Sequence, residues 1–307
     1  MAQLICRRLL ALPLVLLAIY TIAFVIVTAV PGSAVIDERQ FNQNAIDAEK
    51  ARLGLNLHPA HRYFWYLGRI LRGDLGVSAV HRQLTVGQII AKSLPVSCAL
   101  GSLSLAVAVI VGVGFGVIAA VRRNRPLDYL LTGLASLGIS IPSFVLALVL
   151  LLWFAFHLRW FPPGDWGRPE QLVLPAIALA APYVAYLTRL TRASLLDVLR
   201  SDFIRTARAK GVAEGKVILE HALRNAFLPV LSFLGPAAAS IFTGSLVVEK
   251  VFNIPGVGQH FVDAALNRDW MLVMGLAVTY STMLLGFNLL VDLGHIALDP
   301  KLRTQRA

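Results

Sequence analysis

Residues 201–229 read SDFIRTARAKGVAEGKVILEHALRNAFLP, a polar stretch inside a chain that is otherwise apolar enough to sit in lipid. It carries Arg205, Arg208, Lys210, Lys216 and Arg224, and Gly211 divides it. Leu195, Leu199 and Phe203 recur every four residues, with Val198 and Ala207 beside them, which predicts one apolar face of a helix. Gly211 suits the position just past a helix end, where positive φ is needed, and Lys210 complements the dipole of the last turn. A second helix is expected from Ala213 to about Asn225, with Val217, Ile218 and Ala222 on its apolar face. Pro229 then opens the next span, where its missing N–H costs little. Two readings stand for the stretch: amphipathic helices lying on lipid headgroups, or a helix–glycine–helix elbow on which another protein docks.

The composition sets the class. The chain has 307 residues, 57% of them hydrophobic and 15% charged, and its mean hydropathy is +0.70. Soluble domains are about a quarter charged. The expected class is an all-α polytopic membrane protein. The net charge of +11 is read as arginines on cytoplasmic loops, which orient membrane proteins, and not as a nucleic-acid surface. Cys6 and Cys98 form no metal or redox motif.

Six spans are expected. Arg7 and Arg8 precede an apolar run, Leu9 to Val30, that is too long for a signal peptide core and reads as an uncleaved first span, so residues 1–30 are cytoplasmic residues plus a helix. Pro31-Gly32 ends it. Residues 31–97 form an extracytoplasmic segment, with a short amphipathic helix around Ile46, Ala51 and Leu53 and another from His61 to Leu71. Tyr63, Trp65, Tyr66 and Leu67 of the latter have interfacial character. Residues 98–297 hold the further spans, at about 99–121, 129–157, 171–188, 229–248 and 271–293, with a cytoplasmic loop at 189–228. Residues 298–307 are a cytoplasmic tail carrying Lys301, Arg303 and Arg306. Gly112 and Gly116, four apart, permit close helix contact. Pro142 lies near the middle of the third span and is expected to kink it. Breaks in membrane helices often border cavities, so Gly138, Ser140, Pro142 and Ser143 are candidate pathway-lining residues. Trp160 and Trp166 suit the outer interface. From Arg189 to Arg224 basic residues outnumber acidic ones eight to four, which places that loop, and both termini, in the cytoplasm.

At this point the residues carry a resemblance. Thr206-Ala-Arg-Ala-Lys-Gly211, His221-Ala-Leu-Arg-Asn225 and Leu228-Pro229 are similar to the cytoplasmic loop of ATP-binding-cassette importer permeases, more narrowly the dipeptide/oligopeptide family. LRGDLGVS at 71–78, SIPSF at 140–144, FIRTARAKG at 203–211, GSLVVEKVFNIPGVGQ at 244–259, ALNRDW at 265–270 and the final LVDLGHIALDPKLR agree, in order, over almost the whole chain. The long first outer segment is similar to that of the B-type subunit. The resemblance implies the type I importer transmembrane fold. It implies a second, C-type permease subunit, one or two ATPase subunits and an extracytoplasmic peptide-binding protein as partners. ATP and Mg sit on the ATPase; this chain binds no cofactor and no metal. The residues it marks for coupling to the ATPase are Arg205, Thr206, Ala207, Arg208, Ala209, Lys210, Gly211, His221, Ala222 and Leu223. Arg205-Thr206-Ala207 occupy the place of the general importer EAA, His221 to Arg224 stand where many importers have I-x-L-P, and Ala213 lacks the capping hydroxyl that relatives often supply there.

Enzyme signatures are missing: there is no G-x-x-x-x-G-K-[ST], no H-E-x-x-H and no G-x-S-x-G. The competing class is an ion- or proton-coupled secondary transporter, which would place ionisable groups within spans. Asp292 and His295 fall near the inner end of the sixth span and Glu249 at the outer end of the fifth, and all three read as interfacial.

Overall fold

The computed structural model describes residues 2–30 and 43–298. Pro31-Gly32 and the tail with Lys301, Arg303 and Arg306 lie outside the described residues, as do the side chains of Ile46, Asp292 and His295. The chain forms two compact units, Met1–Cys98 with Ile254–Leu285, and Ala99–Asn253 with Gly286–Ala307. Among the described residues five helices are long and apolar enough to cross a membrane, and a sixth crossing arises if one sharply bent pair is a single span.

The first unit starts with α1 (Ala2–Ala29), followed by the short α2 (Gln43–Arg52) and α3 (Pro59–Leu71). Tyr66 on α3 is fully buried, and Tyr63, Trp65 and Leu67 pack against the same core. The aromatic cluster expected from the sequence is thus part of a packed core rather than a free surface. Tyr20 donates to the Tyr63 carbonyl at 2.7 Å, and Tyr66 to the carbonyls of Leu75 and Met271 at 3.0 and 3.2 Å. A buried phenol needs such a partner, and these bonds satisfy Tyr20 and Tyr66 inside the core.

α4 (Val86–Val121) begins in this unit and continues into the second. It starts well before the expected residue 99: Thr85 and Gln88 cap each other's backbone N–H at 3.2 and 3.0 Å, and Pro95 lies inside the helix. In the second unit α4 packs on α7 (Glu170–Val198) through small residues. A Cβ at Gly112 would fall 2.7 Å from Leu187 Cβ, and one at Gly116 would fall 2.5 Å from Thr191 Cβ. Lipid offers no hydrophobic drive for helix association, so close van der Waals packing of this kind supplies it.

The third span is broken rather than kinked. α5 (Pro126–Ser140) and α6 (Ser143–Leu150), the latter extended by a π segment to His157, meet at 105°. Pro142 sits at the N-cap of α6 with ψ 137°, and Ile141 is also extended. Proline pushes the residue before it out of the α region, so the helix stops there. At the start of α5, Asp128, 1% exposed, takes a bidentate bond from Arg192 of α7 at 2.6 and 2.7 Å. The Asn124 amide caps the same carboxylate at 2.9 Å. Arg189 and Arg192, counted with a loop in the sequence, are therefore helical.

After α7 come α8 (Asp202–Ala209), the single turn α9 (Glu214–Lys216), a π segment to Ala222, α10 (Leu223–Gly244) and α11 (Leu246–Val251). From Glu214 to Val251 these helical pieces form one continuous candidate span of 38 residues. Pro229 and Pro236 lie inside it, so Pro229 does not begin a helix; membrane helices tolerate such prolines. Glu249, expected at the outer end of the fifth span, is fully buried and accepts the Ser245 hydroxyl at 2.7 Å. The chain ends with α12 (Val257–Leu266) and α13 (Trp270–Leu298).

Candidate functional site

The polar stretch folds as an elbow. α7 stops at Val198, residues 199–201 turn, and Ser201 is extended at ψ 156° before α8. The turn changes the helical phase. Leu195 in the last turns of α7 and Ile204 of α8 are fully buried, whereas Phe203 is 47% exposed. The four-residue repeat through Leu195, Leu199 and Phe203 thus does not form one face, because a single helix does not run through it.

α8 ends in a Schellman motif. Gly211 N–H donates to the Arg208 carbonyl at 2.9 Å and Val212 N–H to the Ala207 carbonyl at 3.3 Å. Those are the two bonds that define the motif. Gly211 has φ +76°, and open space surrounds the position a Cβ would take. Glycine is thus required there for its backbone, not for room. Val212 and Ala207 both pack against a small core of Ala120, Leu195, Ile204, Val217, Ala222 and Ala226, so the motif also carries its usual apolar contact. Ala213 takes the N-cap of α9 with no side-chain bond.

One ion pair spans the joint. Arg208 meets Glu214 through Nε at 3.1 Å and a terminal nitrogen at 2.6 Å. The Glu214 carboxylate raises the Arg208 pKa. Sequence periodicity does not find this pair, because the partners stand six apart across a glycine. Arg205 pairs with Asp202 at 2.9 Å within α8, in full solvent.

The residues marked from the sequence separate into two sets. Arg205, Thr206, Arg208, Ala209, Lys210 and Gly211 are exposed. Ala207, His221 and Leu223 are half-buried, and Ala222 is fully buried. The second set supports the first. Beside the elbow lies a groove of about 330 Å³ lined by Val117, Val121, Ile218 and Leu219 among others.

The candidate pathway residues gather at the break in the third span. Gly138 packs on α7, where an added Cβ would lie 3.1 Å from both the Ala181 carbonyl and Ala185 Cβ. Ser140 and Pro142 are exposed, Ser143 half-buried. Ser140 donates to the Ser136 carbonyl at 2.9 Å. Among the described residues no cluster of three or more His, Cys, Asp or Glu is placed to hold a metal ion.

Helices of this length and apolarity mark a polytopic membrane protein, and the comparisons give its class. Residues 112–304 match the family of binding-protein-dependent transport system inner membrane components, and the chain belongs to that family. It is a multi-pass inner-membrane transport subunit, which sets aside the secondary carrier. Among its relatives, the oligopeptide transport system permease protein OppB of Haemophilus influenzae is 42% identical over 306 residues, covering 99% of this chain and 100% of that protein. The dipeptide transport system permease protein DppB of Bacillus subtilis is also 42% identical over 306 residues, covering 100% and 99%. Among solved structures, an inward-facing MetNI methionine ABC transporter has a TM-score of 0.57 at 15% identity, covering 69% of this chain and 96% of its own. An amino acid ABC transporter structure scores 0.53 at 17% identity, covering 76% and 98%. At such identity these show the fold alone, the ABC importer transmembrane fold.

Proposed function

We propose that this chain is the B-type permease subunit of an ATP-binding-cassette importer that carries di- and oligopeptides into the cytoplasm. Its partners in this reading are a C-type permease subunit, one or two ATPase subunits that bind ATP and Mg, and an extracytoplasmic peptide-binding protein. The relatives' names and the match along the full chain support the cargo class. The observation that carries the coupling role is the elbow: a basic, outward-facing helix end, held rigid by the Schellman bonds and a buried apolar underside.

In this mechanism α8 and Gly211 enter a cleft on the ATPase. Arg205, Thr206, Arg208, Ala209 and Lys210 make the contact, while Ala207, His221, Ala222 and Leu223 pass movement to the spans from beneath. ATP binding draws the ATPases together and opens the path outward; hydrolysis resets it. Residues 1–30 supply the first span, 31–97 lie outside, 98–297 form the transmembrane domain and 298–307 are a cytoplasmic tail, with both termini inside. Gly138, Ser140, Pro142 and Ser143 border the path, a placement supported by the 105° break.

The test is uptake of labelled peptide in proteoliposomes containing both permeases, the ATPases and the binding protein. Uptake should require ATP. Uptake driven by a proton gradient without ATP would sink the proposal. A second arm places Cys at Ala209, which is exposed, in a chain without Cys6 and Cys98. A disulfide or bifunctional cross-link to the ATPase is expected during turnover, and none forming would remove the docking role.

A further inference from the structure

The first unit contains a cavity of about 500 Å³ that the proposed mechanism does not use. Its walls are apolar: Ile26, Val27 and Val30 at the end of α1, with Phe261, Ala265 and Val273 opposite. Among the described residues the ionisable groups lining it, Arg62 and Arg268, are both cationic. Among the described residues no carboxylate pairs with either.

Arg62 is held but not satisfied. Its guanidinium carbon stands 5.6 Å from the Phe24 ring centre and 5.5 Å from that of Trp270. One terminal nitrogen donates to Thr28 at 3.3 Å. Arg62 Nε and Trp270 Nε1 are both buried without an acceptor. Burial lowers the Arg62 pKa and no neighbouring anion offsets it. Buried polar groups are almost always bonded, so two orphan donors on one cavity indicate an acceptor that occupies it.

The level in the membrane identifies that acceptor. The apolar window of α1 ends at Ala29, and that of α13 begins at Trp270. The cavity therefore lies where two spans meet the polar boundary, the depth at which Trp and Arg meet lipid headgroups. A free anion would leave the apolar walls wet. A peptide would need acceptors for its N–H groups, and among the described residues the polar side chains of the lining are chiefly donors, with Thr28 as the one side-chain acceptor.

We propose that this cavity binds an anionic phospholipid, with a phosphate oxygen accepting from Arg62 Nε and Trp270 Nε1, Arg268 at the rim, and an acyl chain along Val27, Phe261 and Val273. The site is independent of the cargo and of the elbow.

The test uses the full-length chain, purified in detergent and photolabelled with phosphatidylglycerol or phosphatidylcholine carrying a diazirine in one acyl chain. Phosphatidylglycerol should label peptides containing Val27 or Phe261, and phosphatidylcholine should label them at least severalfold less. Arg62→Gln should reduce that labelling about tenfold, as expected for loss of a charge-assisted bond. Arg268 has φ +57°, so Arg268→Asn keeps the backbone and should reduce labelling severalfold. Ala265→Phe fills the cavity from an exposed wall position and should abolish labelling; with Arg268→Asn it decides the matter if Arg62→Gln does not purify as a single species. Equal labelling by the two lipids, label elsewhere only, or labelling indifferent to these substitutions overturns the proposal. So does displacement by millimolar inorganic phosphate, which would make the site one for a free anion.

Discussion

At Gly211 the polar groups point outward and end in solvent; at Asp269 they point inward and end on one another. Asp269 is fully buried and N-caps α13, accepting Leu272 N–H at 3.3 Å, Val80 N–H at 3.2 Å and the Ser78 hydroxyl at 2.5 Å. A carboxylate there also meets the positive end of the helix dipole. Tyr66 adds bonds to Leu75 and Met271 from the same core. The ion pairs of the elbow, Arg208 with Glu214 and Arg205 with Asp202, are half or fully exposed. Similar chemistry therefore does two jobs. Buried and satisfied, it fixes one conformation. Exposed on an apolar underside, it leaves a charged surface available to a partner.

The largest break in that contrast should come at Asp269. Asp269→Ala leaves two buried donors, the Ser78 hydroxyl and Leu272 N–H, and the half-exposed Val80 N–H without their acceptor, at a cost of roughly 3 kcal/mol. Thermal unfolding of the purified chain should shift down strongly, and little protein should reach the membrane. Gly211→Val comes next. Left-handed backbone costs a branched residue about 1–2 kcal/mol, and the surrounding space is open, so the loss is local. Insertion and yield should be unchanged, while ATP hydrolysis by the assembled complex should no longer drive uptake.

His260 offers a smaller, pH-dependent test in the first unit. Burial, then His81 at 6.2 Å between ring centres, lowers its pKa below 6.5, against a raising effect of Asp263. The folded chain therefore resists a proton that the unfolded chain accepts. Its stabilising effect is full above the unfolded value and declines as pH falls through the lowered one. Melting should come earlier at about pH 5.5 than at about pH 7.5, and His260→Gln should flatten that difference. The smallest effect belongs to Arg208→Gln. A pair this exposed contributes about 0.5 kcal/mol or less, so melting should hardly move. A large drop would mean that the elbow is a structural knot like the one at Asp269.

Much of the architecture was legible in the residues. The apolar runs marked the long apolar helices, Gly112 and Gly116 marked the α4–α7 contact, and Gly211 marked the end of α8. The misreadings share a cause: periodicity assumes a continuous helix. The turn at residues 199–201 breaks the repeat that Phe203 seemed to continue, and Pro142 ends a helix it was expected only to bend. Pro229 does the reverse, lying within a helix it was expected to start. The Arg208–Glu214 and Asp128–Arg192 pairs had no signal in spacing, since one crosses a glycine joint and the other joins separate helices 64 residues apart.

The sequence by itself determined the class of protein, the number of apolar runs and the place of the polar elbow. Hydropathy and a glycine's need for positive φ are local properties and survive without coordinates. Only the tertiary structure decided which polar residues are spent inside the molecule and which remain free. The burial of Asp269, Tyr66 and Glu249, the unmet donors of Arg62 and Trp270, and the outward face of α8 depend on which distant segments meet. A single sequence does not encode those meetings in any local pattern.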